Sequence, residues 1–274
     1  MHRSTGSKSL IATLAATVAL LAVMVMPASA ITKGGVVDEQ SHFPHVGLMV
    51  ASVLDGEDLV PSWRCTGTLV SPTLFVTAGH CTFGADHVEI WFDTDLTNAA
   101  AHNYPFVGDV GGTPYVHPEY DDPAFFLHDL GVVVLDEPWD TGGVYADLPT
   151  ENQLNALKPG KRTTFTTVGY GLQNSFPPAA SWKNEGLRLR MVATPHLLQI
   201  NNASVGDFAM LLSNNSASGG TCFGDSGGPS FLGDTLVAVT SFGLTYTCAG
   251  VGGVYRIDTA DDLDWIHANF SGEL

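Results

Sequence analysis

Short runs of apolar and β-branched residues recur along the chain, and clusters of Gly, Pro, Asn and Asp separate them. Such runs are typical of strands, and such clusters are typical of turns. A parallel sheet would need a helix between successive strands, and the chain leaves no room for a series of them. The pattern therefore predicts an all-β protein. The expected strands are residues 68–70, 74–77, 88–92, 130–135, 163–168, 187–192, 208–212, 236–242 and 251–257.

One helix is expected, at the C-terminus. Thr259 precedes Asp262 with the spacing of a capping box, and acidic residues fill the first turn. The apolar residues that follow recur at intervals of three and four, which predicts a helix with one face against the core. These residues are Leu263, Ile266 and Phe270.

The N-terminus has the pattern of a secretory signal peptide. Arg3 and Lys8 precede an apolar run over residues 10–26, and Ala28-Ser29-Ala30 follows it. We expect cleavage after Ala30 and a secreted protein. The alternative is a membrane anchor, but no second apolar run follows, so we expect no membrane association of the mature form.

Composition excludes several classes of protein. Apolar residues make up 45% of the 274 residues and charged residues 14%, which excludes a disordered chain and a coiled coil. The formal net charge is −17, and no basic cluster occurs. We therefore expect no nucleic-acid partner.

The four cysteines are an even number, and export would permit two disulfides. Spacing alone leaves three pairings open. A zinc site is disfavoured because no Cys-x-x-Cys pair occurs, and we assign no metal ligand. The cysteines are Cys65, Cys81, Cys222 and Cys248.

Three segments together contain the groups for nucleophilic catalysis. His80 lies in Thr-Ala-Gly-His-Cys, Asp129 in His-Asp-Leu-Gly, and Ser226 in Gly-Asp-Ser-Gly-Gly-Pro. A serine hydroxyl needs a neutral imidazole to take its proton, and the imidazole needs a carboxylate to fix its tautomer. The amides of Gly224 and Ser226 could stabilise an oxyanion. Each segment alone is a weak signal.

The serine segment also fits the nucleophile elbow of α/β-hydrolases. That fold places its Asp and His after the serine, but only His267 follows Ser226, within the predicted helix. We reject this alternative. The other histidines have structural interpretations: His42 and His45 in a surface turn, His117 in a loop, and His128 at the cleft edge.

The order His, Asp, Ser, with these flanking residues, resembles the chymotrypsin-like (trypsin-fold) serine endopeptidases. The resemblance extends over residues 31–270. It implies two six-stranded antiparallel β-barrels with a C-terminal α-helix and a cleft between the barrels. We place the N-terminal barrel at residues 31–136, a linker at 137–149, and the C-terminal barrel with the helix at 150–274.

The resemblance also implies roles for individual residues. His80, Asp129 and Ser226 would be catalytic, Ser241 would support Asp129, and the Gly224 and Ser226 amides would form the oxyanion hole. Cys65 would pair with Cys81 and Cys222 with Cys248. No cofactor is needed. The expected partner is a polypeptide substrate, and we expect a monomer.

In this family the residue six positions before the serine forms the floor of the specificity pocket, here Gly220. Relatives that cleave after Arg or Lys have an aspartate there. Gly243 and Gly253 occupy wall positions, and Thr221 and Phe223 lie near the rim. Because this slot is uncharged, we expect cleavage after large apolar residues.

Activation in the family needs a new N-terminal ammonium beside the acidic residue before the serine, here Asp225. Cleavage after Ala30 would make Ile31 that terminus. The chain departs from the usual Ile-Val-Gly-Gly, since it reads Ile-Thr-Lys-Gly-Gly. The alternative function is a catalytically silent binding module of the same fold.

Overall fold

The computed structural model describes residue 31 and residues 34–274, so the expected signal peptide lies outside the described residues. The described chain forms two α-helices, α1 (Gly79–Thr82) and α2 (Ala260–Phe270), and 3₁₀ turns at Ala99–His102, Asp122–Ala124, Gln153–Ala156 and Pro178–Lys183. Its strands are β1 (Val36–Val37), β2 (Val46–Asp55), β3 (Asp58–Leu69), β4 (Leu74–Thr77), β5 (His87–Trp91), β6 (Val110–Val116), β7 (Gly131–Leu135), β8 (Gly160–Thr164), β9 (Thr166–Gly169), β10 (Met191–Ala193), β11 (His196–Asn202), β12 (Gly206–Asn214), β13 (Pro229–Leu232), β14 (Thr235–Gly243) and β15 (Gly250–Arg256). None of the described helices has the length and apolar character needed to cross a bilayer.

The first half of the chain closes into a six-stranded antiparallel barrel in the order β2-β3-β4-β7-β6-β5. Strand β4 is buried along its whole length, and β7 nearly so, which explains their continuous apolar sequences. Phe75 and Val133 are paired across these two strands and are both fully buried. Thr66 lies near the C-terminal end of β3, and the C-terminal end of β4 leads into the segment that contains His80.

The second half forms a nine-stranded sheet in the order β1-β10-β9-β13-β14-β15-β12-β11-β8. Only Phe165 separates β8 from β9, and its amide donates to Pro195 O. The sheet therefore returns to one continuous stretch of chain, residues 160–169. The second half thus curves into a partly closed barrel, with β1 and β10 as an extension.

Both ends of the described chain cross to the other half. Strand β1 precedes the first barrel in sequence but pairs with β10 of the second sheet. Helix α2 packs on the first barrel, where Phe270 contacts Tyr115 and Trp265 contacts His117. The Thr259 hydroxyl donates to the Asp262 carboxylate instead of capping a backbone amide. These crossings help to fix one barrel against the other.

Arg190 links the two barrels from the inside. Its side chain is fully buried and forms an ion pair with Asp38 at 2.9 Å. The same guanidinium donates to Val46 O and Phe92 O of the first barrel and to Tyr170 Oη of the second half. A buried guanidinium is tolerated only when its N–H groups find acceptors. Arg190 therefore helps to hold the two halves of the chain together.

Candidate active site

Asp129 and His80 form a hydrogen-bonded pair at one side of this cleft. Asp129 is completely buried, and both of its carboxylate oxygens lie 3.0 Å from Nδ1 of His80. The His80 amide also donates to Asp129 Oδ1 at 2.9 Å. A carboxylate in this place keeps the ring proton on Nδ1, so Nε2 is free to accept a proton.

Ser241 reaches the same carboxylate from the second barrel. Its hydroxyl donates to Asp129 Oδ2 at 2.6 Å, and the bond is buried. The carboxylate thus receives donors from both barrels. Such bonds hold its negative charge in place away from water.

The cysteines form the two disulfides that the resemblance implied, Cys65–Cys81 and Cys222–Cys248. Cys81 follows His80 directly, so the first disulfide ties the histidine segment to β3. The second closes a loop of 26 residues beside the Ser226 segment. Each cross-link is worth on the order of 3 kcal/mol in the chain-entropy model.

The first barrel holds the Ser226 segment through Thr66. The Thr66 amide donates to Ser226 O at 2.8 Å, and the Thr66 hydroxyl donates to Gly224 O at 2.9 Å. Gly227 has a positive φ of 74°, and a Cβ there would lie 2.0 Å from the Thr77 hydroxyl. Only glycine allows this close approach. The serine loop is therefore seated against the strands that lead to His80.

A cavity of about 270 Å³ opens beside Ser226. His80 packs edge to face against Phe125 at 6.1 Å, and Phe125 lines the cavity together with Ser226. Phe125, which contacts the His80 ring, therefore borders the same cavity as Ser226. The complete lining is Phe125, Thr221, Cys222, Phe223, Ser226, Thr240, Ser241, Phe242, Gly243 and Cys248.

Asp225 is fully buried behind the Ser226 segment. Its carboxylate accepts the amides of Gly171 and Cys222 at 2.7 and 2.8 Å. Burial raises the pKa of Asp225 to about 6, against the lowering effect of these two bonds and of Arg64. The preceding residue, Gly224, has a φ of 97°, a backbone conformation that glycine adopts without the steric cost of a side chain.

Ile31, the residue expected to activate the site, is also buried. Its side chain packs with Met191 and Ala193 in a small apolar cluster. The unprocessed chain continues before Ile31, so the residue has no free ammonium here.

Two glycines of the expected specificity pocket face side chains instead of open space. A Cβ at Gly253 would lie 2.3 Å from the ring of Phe242, its partner across β14 and β15. A Cβ at Gly220 would lie 2.3 Å from Cγ of Asn214. Gly243 has open space around it. Phe242 and Asn214 therefore occupy space that the sequence interpretation left empty.

Sequence reasoning did not identify Thr66, Phe242 or Asn214 as parts of this site. Thr66 directly follows Cys65 and Phe242 directly follows Ser241, and the roles already expected for those two neighbours were the available signal. The cross-strand position of Phe242 depends on a β-bulge between Thr240 and Phe242. A bulge changes which residues of two neighbouring strands face each other, and its position could not be predicted from the local sequence.

Comparison with known proteins identifies the family. The family model named Trypsin matches residues 34–266. A trypsin from Saccharopolyspora erythraea is 29% identical over 201 residues, which is 70% of this chain and 80% of that protein. The HL collagenase structure superposes with a TM-score of 0.65 at 19% identity, over 87% of this chain and 98% of that one. A scabies mite protein described as an inactivated protease paralogue gives 0.61 at 17% identity, over 88% and 100%. With the geometry of the cleft, the family match shows that the chain belongs to the trypsin family of serine proteases.

Proposed function

We propose that this protein is an active endopeptidase in which Ser226 is the nucleophile. The observation that carries the proposal is the buried Asp129 carboxylate, bonded to His80 Nδ1 on one side and to Ser241 on the other. This arrangement prepares the imidazole to act as a base. No cofactor takes part.

In this mechanism His80 Nε2 removes the proton of the Ser226 hydroxyl as Oγ attacks the carbonyl carbon of the peptide bond. The amides of Gly224 and Ser226 stabilise the oxyanion that forms. His80 then returns the proton to the leaving amine, and the acyl chain remains on Ser226. Water, activated by the same imidazole, releases the second product.

The competing function is a binding module that keeps the fold without catalysis. The inactivated paralogue shows that this fold alone does not establish activity. Here the serine, the histidine and the carboxylate are all retained. Their retention favours the enzyme.

A serine-directed phosphonate tests the choice between the two functions. The reagent should be added to the processed chain, residues 31–274, and the labelled peptide mapped by mass spectrometry. We expect one label, on Ser226, and cleavage of an unfolded protein substrate by the unlabelled sample. A folded, processed chain that neither reacts nor cleaves would establish the binding module instead.

We further propose that residues 1–30 direct export and that the processed enzyme acts outside the cell as a monomer on polypeptides. The basic start, apolar run and Ala-Ser-Ala end of that segment support export. The two disulfides agree with an oxidising compartment.

For specificity, we propose that the cavity beside Ser226 accepts an apolar side chain of the substrate. All ten residues in its lining are uncharged, so a guanidinium or ammonium would enter without a counterion. The Phe242 ring covers Gly253, so the pocket is narrower on that wall than it would be if the glycine were uncovered. We expect Leu and Met to be preferred over Phe and Tyr.

The Phe242→Ala variant should shift this preference. Removal of the ring uncovers Gly253 and enlarges the pocket on that wall. The ratio of kcat/KM for Phe substrates to kcat/KM for Leu substrates should therefore rise about tenfold. Peptides that differ only in the residue before the cleaved bond provide the measurement. Phe106→Ala is the control, because Phe106 is 68% exposed and does not line the cavity. An unchanged ratio in Phe242→Ala would contradict the assignment of this wall.

For activation, we propose that the Ile31 ammonium of the processed chain pairs with Asp225. A buried carboxylate whose pKa is raised to about 6 is costly to ionise. In the unprocessed chain the stability contribution of protonated Asp225 should be present at pH 4 and lost as the pH rises through 6. A neighbouring ammonium removes that cost.

The test is urea unfolding of the unprocessed and processed chains between pH 4 and pH 7, both with Ser226→Ala to prevent autolysis. We expect the free energy of unfolding of the unprocessed chain to decline relative to the processed chain over this range. In an Asp225→Asn background the two chains should give parallel pH profiles. Parallel profiles with Asp225 intact would argue against the ion pair.

A further inference from the structure

His117, His128 and Asp261 form a cluster of potential metal ligands outside the proposed catalytic machinery. One potential ligand atom from each of the three lies within 4.8 Å of the others. His117 follows β6, His128 precedes Asp129, and Asp261 lies in the first turn of α2. The sequence interpretation gave both histidines structural roles, and it could not foresee that α2 would bring a carboxylate to them.

The distances resemble those between ligands of a shared ion. His128 Nδ1 and Asp261 Oδ2 are 3.2 Å apart, yet this buried nitrogen has no hydrogen-bond partner. Two ligand atoms about 2 Å from one tetrahedral zinc ion are roughly 3.3 Å apart. The rings of His117 and His128 have centroids separated by 5.2 Å and planes 12° apart, so one ring must rotate before a nitrogen of each points at the same ion.

The remaining groups around the cluster fit this interpretation. The His117 ring is buried. Its Nδ1 accepts the Glu119 amide at 3.2 Å, at the long end of such bonds, so an ion has little to displace. The Glu119 carboxylate lies 3.4 Å from His128 Nε2 and can hold that ring from its other nitrogen. The carboxylate of the neighbouring Asp262 accepts a hydrogen bond from the Tyr255 hydroxyl, so we do not assign it as a ligand.

The backbone at His128 is a further sign of a special position. Its φ is +49°, in the left-handed region that residues other than glycine rarely adopt. Such strain persists where the surrounding structure requires it, often at functional sites. Here it turns the imidazole towards His117 and α2, while the next residue turns towards His80.

We propose that His117, His128 and Asp261 bind a divalent transition metal of the zinc type. Imidazole nitrogens with one carboxylate are a ligand set that such ions favour. The ion would tie the segment that contains Asp129 to the start of α2, and so join the first barrel to the C-terminal helix. Its function is structural, separate from peptide hydrolysis.

Calorimetric titration with Zn²⁺, and visible absorption with Co²⁺ as a coordination probe, test the site in chelator-treated processed chain. His128→Asn and Asp261→Asn are the informative variants. Asparagine tolerates a positive φ, so the first keeps the backbone while it removes the imidazole. His267→Asn is the matched control, since His267 is exposed on the same helix. His117 is buried, and its replacement could disturb folding, so the test does not depend on it.

We expect one Zn²⁺ per chain, a tetrahedral Co²⁺ spectrum, and a metal-dependent rise in melting temperature in the parent and in His267→Asn. Affinity should fall by on the order of 100-fold in His128→Asn and in Asp261→Asn, while their melting temperatures in chelator stay near that of the parent. Absence of binding to the parent would overturn the proposal. Equal affinity in the parent and both variants would also overturn it, since that places the ion elsewhere, for example on His80.

Discussion

Replacement of Ser226 by alanine should lower kcat/KM for peptide hydrolysis by on the order of 10⁵-fold. The variant loses the atom that forms the acyl-enzyme, while the oxyanion donors and the binding surface remain. The fold should not change, because the contact that seats this segment is made by Ser226 O and not by the side chain. Initial rates with a chromogenic peptide ester and amide, together with melting temperatures, provide the measurement.

Ser204→Ala is a matched control, because Ser204 is an exposed serine of the second barrel. It should keep full activity. Residual activity above about one hundredth of the parent in Ser226→Ala, with contaminating proteases excluded by active-site titration, would mean that another group is the nucleophile. The phosphonate label should disappear in parallel with activity.

The runs of apolar and β-branched residues between turn residues predicted an all-β chain, while the two barrels were implied only by the family resemblance. Strands β2, β6 and β11 were not among the expected strands. Strands β4 and β7 were among them: both are buried, and both were expected within one or two residues of their observed bounds. The terminal helix was expected for a similar local reason. Its docking on Tyr115 of the first barrel is a long-range contact, which periodicity does not encode.

The same distinction applies to the cleft. The pair of Asp129 and His80 was expected because both residues lie in motifs with a known chemical purpose. The covering of Gly253 by Phe242 depends instead on the register of β14 against β15 after a bulge. Motifs identify which groups are chemically useful, whereas the shape of the pocket is decided by side chains on neighbouring strands.

Thr66 shows why the two halves must be considered together. It is a residue of the first barrel, but its amide and hydroxyl bond to Ser226 O and Gly224 O of the second. Ser241 makes the reciprocal contact, from the second barrel to Asp129 of the first. The geometry of the site therefore depends on the docking of the barrels, to which the buried Arg190 contributes.

Replacement of Asp129 by asparagine should lower kcat/KM at neutral pH by on the order of 10⁴-fold. In the parent protein, the Asp129 carboxylate accepts hydrogen bonds from His80 and from Ser241 at the same time. An amide has one accepting side. Its oxygen should take the place of Oδ1, which accepts the His80 amide, so its NH₂ group takes the place of Oδ2, 3.0 Å from His80 Nδ1 and 2.6 Å from Ser241 Oγ. Donation from the NH₂ group to Nδ1 moves the ring proton to Nε2, and the base is lost.

The double variant Asp129→Asn with Ser241→Ala tests this orientation. Because the tautomer is already reversed in the single variant, loss of the Ser241 hydroxyl should lower the rate no further. A further loss of rate in the double variant would indicate that Ser241 had preserved the tautomer. Asp121→Asn controls for net charge, since Asp121 is exposed. A loss below about tenfold in Asp129→Asn would mean that His80 does not depend on this carboxylate, and the catalytic role of the pair would have to be abandoned.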